Sequence, residues 1–342
     1  MAHKLNWGIL ATGGIARKFA TDLPRSRTGR LVAVGSRNRA SAESFAREFG
    51  GVRAHGTYEA LLADPEVTAV YVAPPHPWHL EWAVKALEAG KHVLCEKPLA
   101  LRRSDAEKIV AAARRRGMFL MEAFMYRCHP QTAALAKLVR EGAIGELRLI
   151  RSAFSVVCPF DPENRMFKRE LGGGSILDLG CYPVTFSRLI AGAAAGRPFA
   201  DPVAIRATGR RHATAGTDEY AAAVVEYPGG IVAELSCGST VLTDISARIY
   251  GTTGWIDVPV PFFPGLLGRD EKIVIHRPDG RSEEIAFPSQ GVPLYGWEAD
   301  AVAGALAGGS LEASAMPHAD SLGTAAMLDA WIEAVGVNYR GV

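Results

Sequence analysis

Three side chains in this 342-residue chain stand where charged and apolar sequence meet, and each could hold or move a proton. Lys97 closes the run His92-Val93-Leu94-Cys95-Glu96-Lys97-Pro98-Leu99. The apolar part reads as a buried parallel strand, and charged residues at the carboxyl end of such a strand lie where open α/β sheets bind ligands. Pro98 fixes its own φ and disfavours a helical Lys97, so the ammonium is aimed. A strand followed by a solvated turn is the plainer reading of an isolated Glu-Lys-Pro. Asp178 and Tyr182 lie in Leu171-Gly172-Gly173-Gly174-Ser175-Ile176-Leu177-Asp178-Leu179-Gly180-Cys181-Tyr182-Pro183. If this segment is helical, their spacing puts carboxylate and phenol on one face. An Asp within Ile-Leu-Asp-Leu is costly to bury unless partnered, by Lys97 or by a substrate hydroxyl. Spacing alone favours a helix-terminal Asp and a packed Tyr.

The elements that must position these groups are legible. Leu5 to Ala11 reads as a first strand, feeding Ala11-Thr12-Gly13-Gly14-Ile15-Ala16 and a helix to about Asp22. This is a variant of the dinucleotide fingerprint G-x-G-x-x-G/A in its required strand–turn–helix setting, where Gly13 admits a pyrophosphate and Ala16 close packing. The second strand, Leu31 to Gly35, ends in Ser36-Arg37-Asn38-Arg39, where an NAD-selective site usually carries an acid. A hydroxyl and guanidinium groups suit a 2′-phosphate, so NADP(H) is favoured over NAD(H). The alternative is a pair of solvated arginines opening the next helix. A buried strand, Ala69 to Ala73, leads into Pro74-Pro75-His76-Pro77-Trp78-His79, a loop expected to border a nicotinamide. His76 and His79 lack a third ligand, so no metal site is expected. A capping box, Ser104 to Glu107, and a strand from Phe119 to Glu122 complete an alternation that means a doubly wound parallel sheet.

After residue 123 the texture changes. Strand-like segments (147–157, 203–210, 220–227, 231–237, 245–250, 272–277 and 284–287) follow one another with turns such as Pro228-Gly229-Gly230 and few helices between them. The expectation is α/β: a Rossmann domain over 1–123 and, over 124–342, an α+β domain with a large, mostly antiparallel open sheet. The sheet's open face needs cover, and a second subunit is expected there. Net charge is +2, which gives no reason to expect nucleic acid or a membrane surface. Five widely spaced cysteines argue against a disulfide framework. Met1-Ala2-His3-Lys4 carries no signal-peptide pattern, and the expected location is cytoplasmic.

Taken together, Trp7 to Ala16, Pro75 to His79, Cys95-Glu96-Lys97-Pro98-Leu99 and Gly172 to Pro183 resemble the glucose–fructose oxidoreductase / inositol dehydrogenase (Gfo/Idh/MocA) family. Phe119 to Arg127 and Met316 to Ser321 resemble the branch of dimeric dihydrodiol dehydrogenases and NADP-dependent D-xylose dehydrogenases. The resemblance implies an oxidoreductase passing hydride between a nicotinamide and a carbinol carbon of a sugar or cyclic polyol. It implies a catalytic set of Lys97, Asp178 and Tyr182. Tyr182 would serve as acid/base, its phenolate favoured by the Lys97 ammonium, and Asp178 would orient hydroxyls. The cofactor set would be Ala11, Thr12, Gly13, Gly14, Ile15, Ser36, Arg37, Arg39, Pro74, His76, His79, Glu96 and Lys97. The substrate wall would hold Met125, Arg127, Phe160 and Asp178, and a homodimer would form through the second sheet. Ala11 departs from the usual first glycine. Met125 stands where the dihydrodiol branch places tryptophan, so that substrate is not carried over. The rival readings are a non-catalytic NADP(H)-binding sensor and an enzyme that uses the same redox start to cleave glycosides.

Overall fold

Apolar runs alternating with amphipathic segments become a six-stranded parallel sheet in the computed structural model, which describes residues 5–265, 271–287, 291–339 and 341. Its strands are β1 (Leu5–Leu10), β2 (Gly29–Gly35), β3 (Arg53–His55), β4 (Ala69–Val72), β5 (His92–Glu96) and β6 (Leu120–Ala123), in the order β3-β2-β1-β4-β5-β6. The order reverses between β1 and β4, and the carboxyl ends at such a point form the ligand crevice of doubly wound folds. Helices α1 (Gly14–Asp22), α2 (Arg39–Glu48), α3 (Tyr58–Leu62), α4 (His79–Glu88) and α5 (Arg103–Arg116) connect them. All four residues of β4 are buried, as a strand covered on both faces requires. Phe19 of α1 stacks on Tyr71 of β4 at 4.1 Å between ring centroids.

Packing does not follow a single cut at 123/124. One compact unit comprises Met1–Ala100, Ser104–Cys128 and Ser289–Ser321; the other comprises Leu101–Arg103, His129–Pro288 and Leu322–Val342. The first unit therefore takes in α8 (Leu294–Ala307) and the start of α9 (His318–Val335). The Asp300 carboxylate on α8 accepts from the Ser26 hydroxyl at 2.7 Å, the Thr28 hydroxyl at 2.6 Å and the Thr28 N–H at 3.0 Å.

In the second unit α6 (Pro130–Arg140) and α7 (Cys181–Ala194) accompany an eight-stranded sheet. Its strands are β7 (Leu147–Ser155), β8 (Ala204–Arg211), β9 (Asp218–Tyr227), β10 (Ile231–Gly238), β11 (Ser246–Gly251), β12 (Trp255–Val258), β13 (Lys272–His276) and β14 (Ser282–Ala286). They run β14-β13-β12-β11-β7-β10-β9-β8, antiparallel except where β7 meets β10. β9 alternates buried and accessible residues along its length, the pattern of a strand with one packed face. α7 packs on β7 and β10. The opposite face bears ion pairs such as Arg151–Glu234 and Arg248–Asp257.

The sequence pattern missed β3 and β12, both too short to show a periodicity. The expected capping box is displaced: α5 begins at Arg103, and the Asp329 carboxylate accepts the Arg103 N–H at 3.0 Å. Among the described residues no helix is long and apolar enough to cross a membrane.

Candidate active site

The glycine turn after β1 lies at the carboxyl edge of the parallel sheet. Gly13 is the extended N-cap of α1 and contributes no side chain to cap it, so the first-turn N–H groups are offered outward. A Cβ built at Gly13 or Gly14 meets no atom within 4 Å, which leaves the turn open to a bulky anion. These features fit a dinucleotide pyrophosphate. Ala11 has φ +85°, a left-handed backbone in which a Cβ costs about 1–2 kcal/mol, so the residue departing from the fingerprint keeps the glycine geometry. Arg17 of α1 donates to the Thr12 carbonyl and braces the turn.

At the end of β2, Ser36 is buried and its hydroxyl oxygen accepts the Asn38 N–H at 3.2 Å. The Arg37 guanidinium lies 5.0 Å above the Trp78 ring, which fixes its height over this edge. Arg39 points elsewhere, along α2, and pairs with Glu43 at 2.8 Å. Trp78 was not expected to take part; no charge pattern could have revealed a ring acting as a shelf.

His79 corrects the cofactor set. It is fully buried, with Nδ1 2.9 Å from the Pro98 carbonyl and Nε2 2.8 Å from the Pro74 carbonyl. Both ring nitrogens are engaged by backbone, and the ring braces the Pro74 loop against the Lys97–Pro98 turn. His76 is buried, its ring 5.6 Å from that of His79 and edge-on to it. Glu96 is buried beneath the same turn; its carboxylate accepts from the Tyr71 hydroxyl and, at 3.2 Å, from the Lys97 N–H. Glu122 accepts the Leu99 N–H at 2.7 Å, and burial pushes its carboxyl up to about 7 against the opposing hydrogen bonds of Ser321 and Leu99. Lys97 thus leaves a turn held by His79, Glu96 and Glu122.

Arg127 is the second correction. It is buried and ion-paired with the fully buried Asp320 at 2.8 Å, which makes it a brace of the first unit and removes it from the substrate wall. Met125 opens the short 3₁₀ turn Met125–Cys128 and is buried.

In the second unit the glycine segment is clamped from two sides. The Asp218 carboxylate, buried at the start of β9, accepts from the Ser175 hydroxyl and the Ile176 N–H, each at 2.6 Å. The Tyr339 hydroxyl donates to the Gly173 carbonyl. Gly174 has φ +116°, and a Cβ there would run into the Asp218 carboxylate and the Tyr339 hydroxyl. The chain then enters a π-helical turn, Ile176–Gly180, which carries Asp178, and continues as α7 with Tyr182 in its first turn. The expected helix is present, but its opening turn is wide. Asp178 pairs with Arg165 at 3.0 Å, a cation that the sequence pattern does not single out. Tyr182 is buried among Phe154, Phe262 and Phe263, with centroids at 5.2, 5.3 and 5.9 Å. Phe160 is exposed and stacks on His212 at 4.2 Å. No cluster of three or more metal-ligating side chains occurs among the described residues.

A doubly wound sheet with an uncapped glycine turn at its switch point defines a dinucleotide-binding class of protein. Residues 5–124 match the oxidoreductase family with an NAD-binding Rossmann fold, and residues 132–257 match the GFO/IDH/MocA C-terminal domain. The chain belongs to the GFO/IDH/MocA family of oxidoreductases. It is 35% identical to the trans-1,2-dihydrobenzene-1,2-diol dehydrogenase of Mus musculus over 98% of both chains. Its fold is similar to that of a 3-ketoreductase from Actinomadura kijaniata solved with NADP and TDP-benzene (TM-score 0.82, 30% identity, 97% of this chain and 98% of that one). An aldose-aldose oxidoreductase from Caulobacter crescentus shares the fold at TM-score 0.85 and 24% identity, over 97% of each chain.

The Glu122 carboxyl sets a pH signature. Its folded-state pKa lies above its usual 4.5, so its contribution to stability is complete below about pH 4.5 and is lost as pH rises through about 7. Glu122→Gln keeps an acceptor for Leu99 and does not titrate. The melting temperature of the variant minus that of the wild type should therefore rise between pH 5 and pH 8. A difference that stays flat or falls would show that Glu122 is not held neutral in the folded protein.

Proposed function

We propose that this protein is an NADP(H)-dependent dehydrogenase or reductase acting on a carbinol carbon of a sugar or related cyclic polyol. The observation that carries the reading is Tyr182, a phenol in the first turn of α7, lodged among three phenylalanine rings one turn beyond the Asp178–Arg165 pair. Aromatic faces suit the C–H faces of a cyclic polyol, and a carboxylate suits its hydroxyls. The named activities of its relatives, on a trans-diol and on a keto group, support the same class of carbon.

A bound nicotinamide supplies the hydride acceptor or donor. Gly13 and Gly14 would hold its pyrophosphate at the N-terminus of α1, and Ser36 and Arg37 would take a 2′-phosphate. Pro74 and His76 would border the ring, while His79 and Glu96 set the loops that carry them. Tyr182 Oη removes the substrate's hydroxyl proton in oxidation and returns it in reduction. An apolar surround disfavours a phenolate, so this base requires a cation, the role that the family resemblance gives to Lys97. Asp178 accepts from neighbouring hydroxyls and selects the carbon that reacts. Phe160 flanks the substrate, and Met125 belongs to its wall.

The protein acts as a homodimer through the outer face of the second sheet. That face holds a groove of about 800 Å³ lined by Arg151, Arg206, Val224, Glu234 and Arg248, whose mixed charges suit a second copy turned about a twofold axis.

Three measurements test these assignments. Tyr182→Phe should lower kcat by about 10²–10⁴ in a coenzyme-absorbance assay on aldoses and cyclic diols; a loss under tenfold removes Tyr182 from the role of base. Arg37→Ala should raise the KM for NADP⁺ at least tenfold and leave that for NAD⁺ within about twofold, since a charge-assisted contact to the 2′-phosphate is worth roughly 1.5–3 kcal/mol. Equal changes for both coenzymes would end the NADP preference. Sedimentation equilibrium should give twice the chain mass for the wild type and a monomer for a variant with Val224→Arg; a monomeric wild type removes the dimer.

A further inference from the structure

Arg165 sets its guanidinium against Asp178, with Nη2 3.0 Å from Oδ1. Its other terminal nitrogen, Nη1, is buried and meets no acceptor among the described residues. A guanidinium keeps its charge at any working pH and holds its donors in one plane. A buried donor left unmade is costly, so Nη1 calls for an acceptor that the described residues do not supply.

The pair is prearranged by backbone. Asn164 accepts the Met166 N–H at 2.9 Å, and the Lys168 N–H closes on the Arg165 carbonyl at 3.1 Å. The Gly173 N–H then donates to the Lys168 carbonyl at 2.9 Å, and the Gly174 N–H to the Met166 carbonyl at 2.8 Å. A Cβ at Gly173 would come within 2.5–2.8 Å of the carbonyl oxygens of Arg165, Met166 and Lys168, so the two strands of this loop approach as only glycine permits. Arg165 and the glycines that lead into Asp178 form one stitched piece. A donor and an acceptor are held side by side before any ligand arrives.

We propose that Arg165 is a substrate-binding residue and that with Asp178 it selects substrates carrying oxygens on two adjacent carbons. One hydroxyl donates to the Asp178 carboxylate, and the oxygen of its neighbour accepts from Nη1 of Arg165. The inference rests on the alcohol oxidation proposed at Tyr182 and narrows it to vicinal diols, a feature that an aldose ring and a trans-1,2-diol share. A lone carbinol leaves Nη1 unmade and binds poorly.

The test crosses enzyme variants with substrate analogues. The best cyclic polyol found for the wild type is compared with its monodeoxy analogues, on the wild type, Arg165→Met and Arg165→Lys. In the wild type one analogue should lose about 10- to 100-fold in kcat/KM, the worth of a charge-assisted hydrogen bond. Arg165→Met should lose a similar factor on the parent substrate and less than about threefold more on that analogue, because both changes remove one contact. Arg165→Lys, charged but without the fork, should recover part of the loss. A deoxy penalty that persists undiminished in Arg165→Met overturns the proposal. So does an equal loss on the parent and every analogue, which would make Arg165 only a brace for Asp178. No wild-type turnover on any polyol, with coenzyme bound, removes the alcohol-oxidation reading and this inference with it.

Discussion

The second unit depends on one buried carboxylate. Asp218 opens β9 and meets the hydroxyl of Ser175 and the N–H of Ile176, where a helical segment begins with donors that its own turn does not satisfy. Burial pushes the carboxyl up from its usual range, and these hydrogen bonds, which favour the charged form, work against that cost. With the start of the segment pinned, the glycines before it can only thread between Asp218 and Tyr339, and the π turn after it delivers Asp178 and Tyr182 at fixed places. The stitched loop then sets Arg165 beside Asp178. The chemistry of this half descends from a cap.

The first unit solves the equivalent problem with a sheet. Its parallel strands end along one edge, and their exits hold the Ala11 turn, Ser36, Pro74 and Glu96. Buried acids reinforce that edge from below. Glu96 and Glu122 hold the backbone on both sides of Pro98, while His79 ties the same turn to its neighbour. The backbone from which Lys97 projects is thus held by buried groups on both sides.

Much of this was legible because it is local. The strand–turn–helix at Gly13, the missing acid after β2 and the shift from alternating to consecutive strands at residue 123 are each written within a few neighbouring residues. What escaped is long-range. Asp218 lies 43 positions from Ser175, and Arg127 finds Asp320 across 193. No window of sequence links such pairs, so Arg127 reads as a ligand-facing cation until its partner is seen. His79 misled for a related reason: a histidine in a loop beside a sheet edge suggests a donor to ligand, yet its two acceptors are carbonyls of its own unit. Arg165 and Tyr339 carry no motif at all, and their roles, like that of Trp78 within its loop, come only from what they touch.

The return of residues 289–321 to the first unit has a consequence for how the protein is made. Asp22 and the turn at Ser26–Thr28 need the N–H of Tyr295 and the carboxylate of Asp300. Those groups leave the ribosome after the whole eight-stranded sheet has been synthesised. The amino-terminal unit begins first yet lacks its last segment until after the whole second sheet has been made, so the usual vectorial order, in which the leading domain closes before the next emerges, does not hold for this chain.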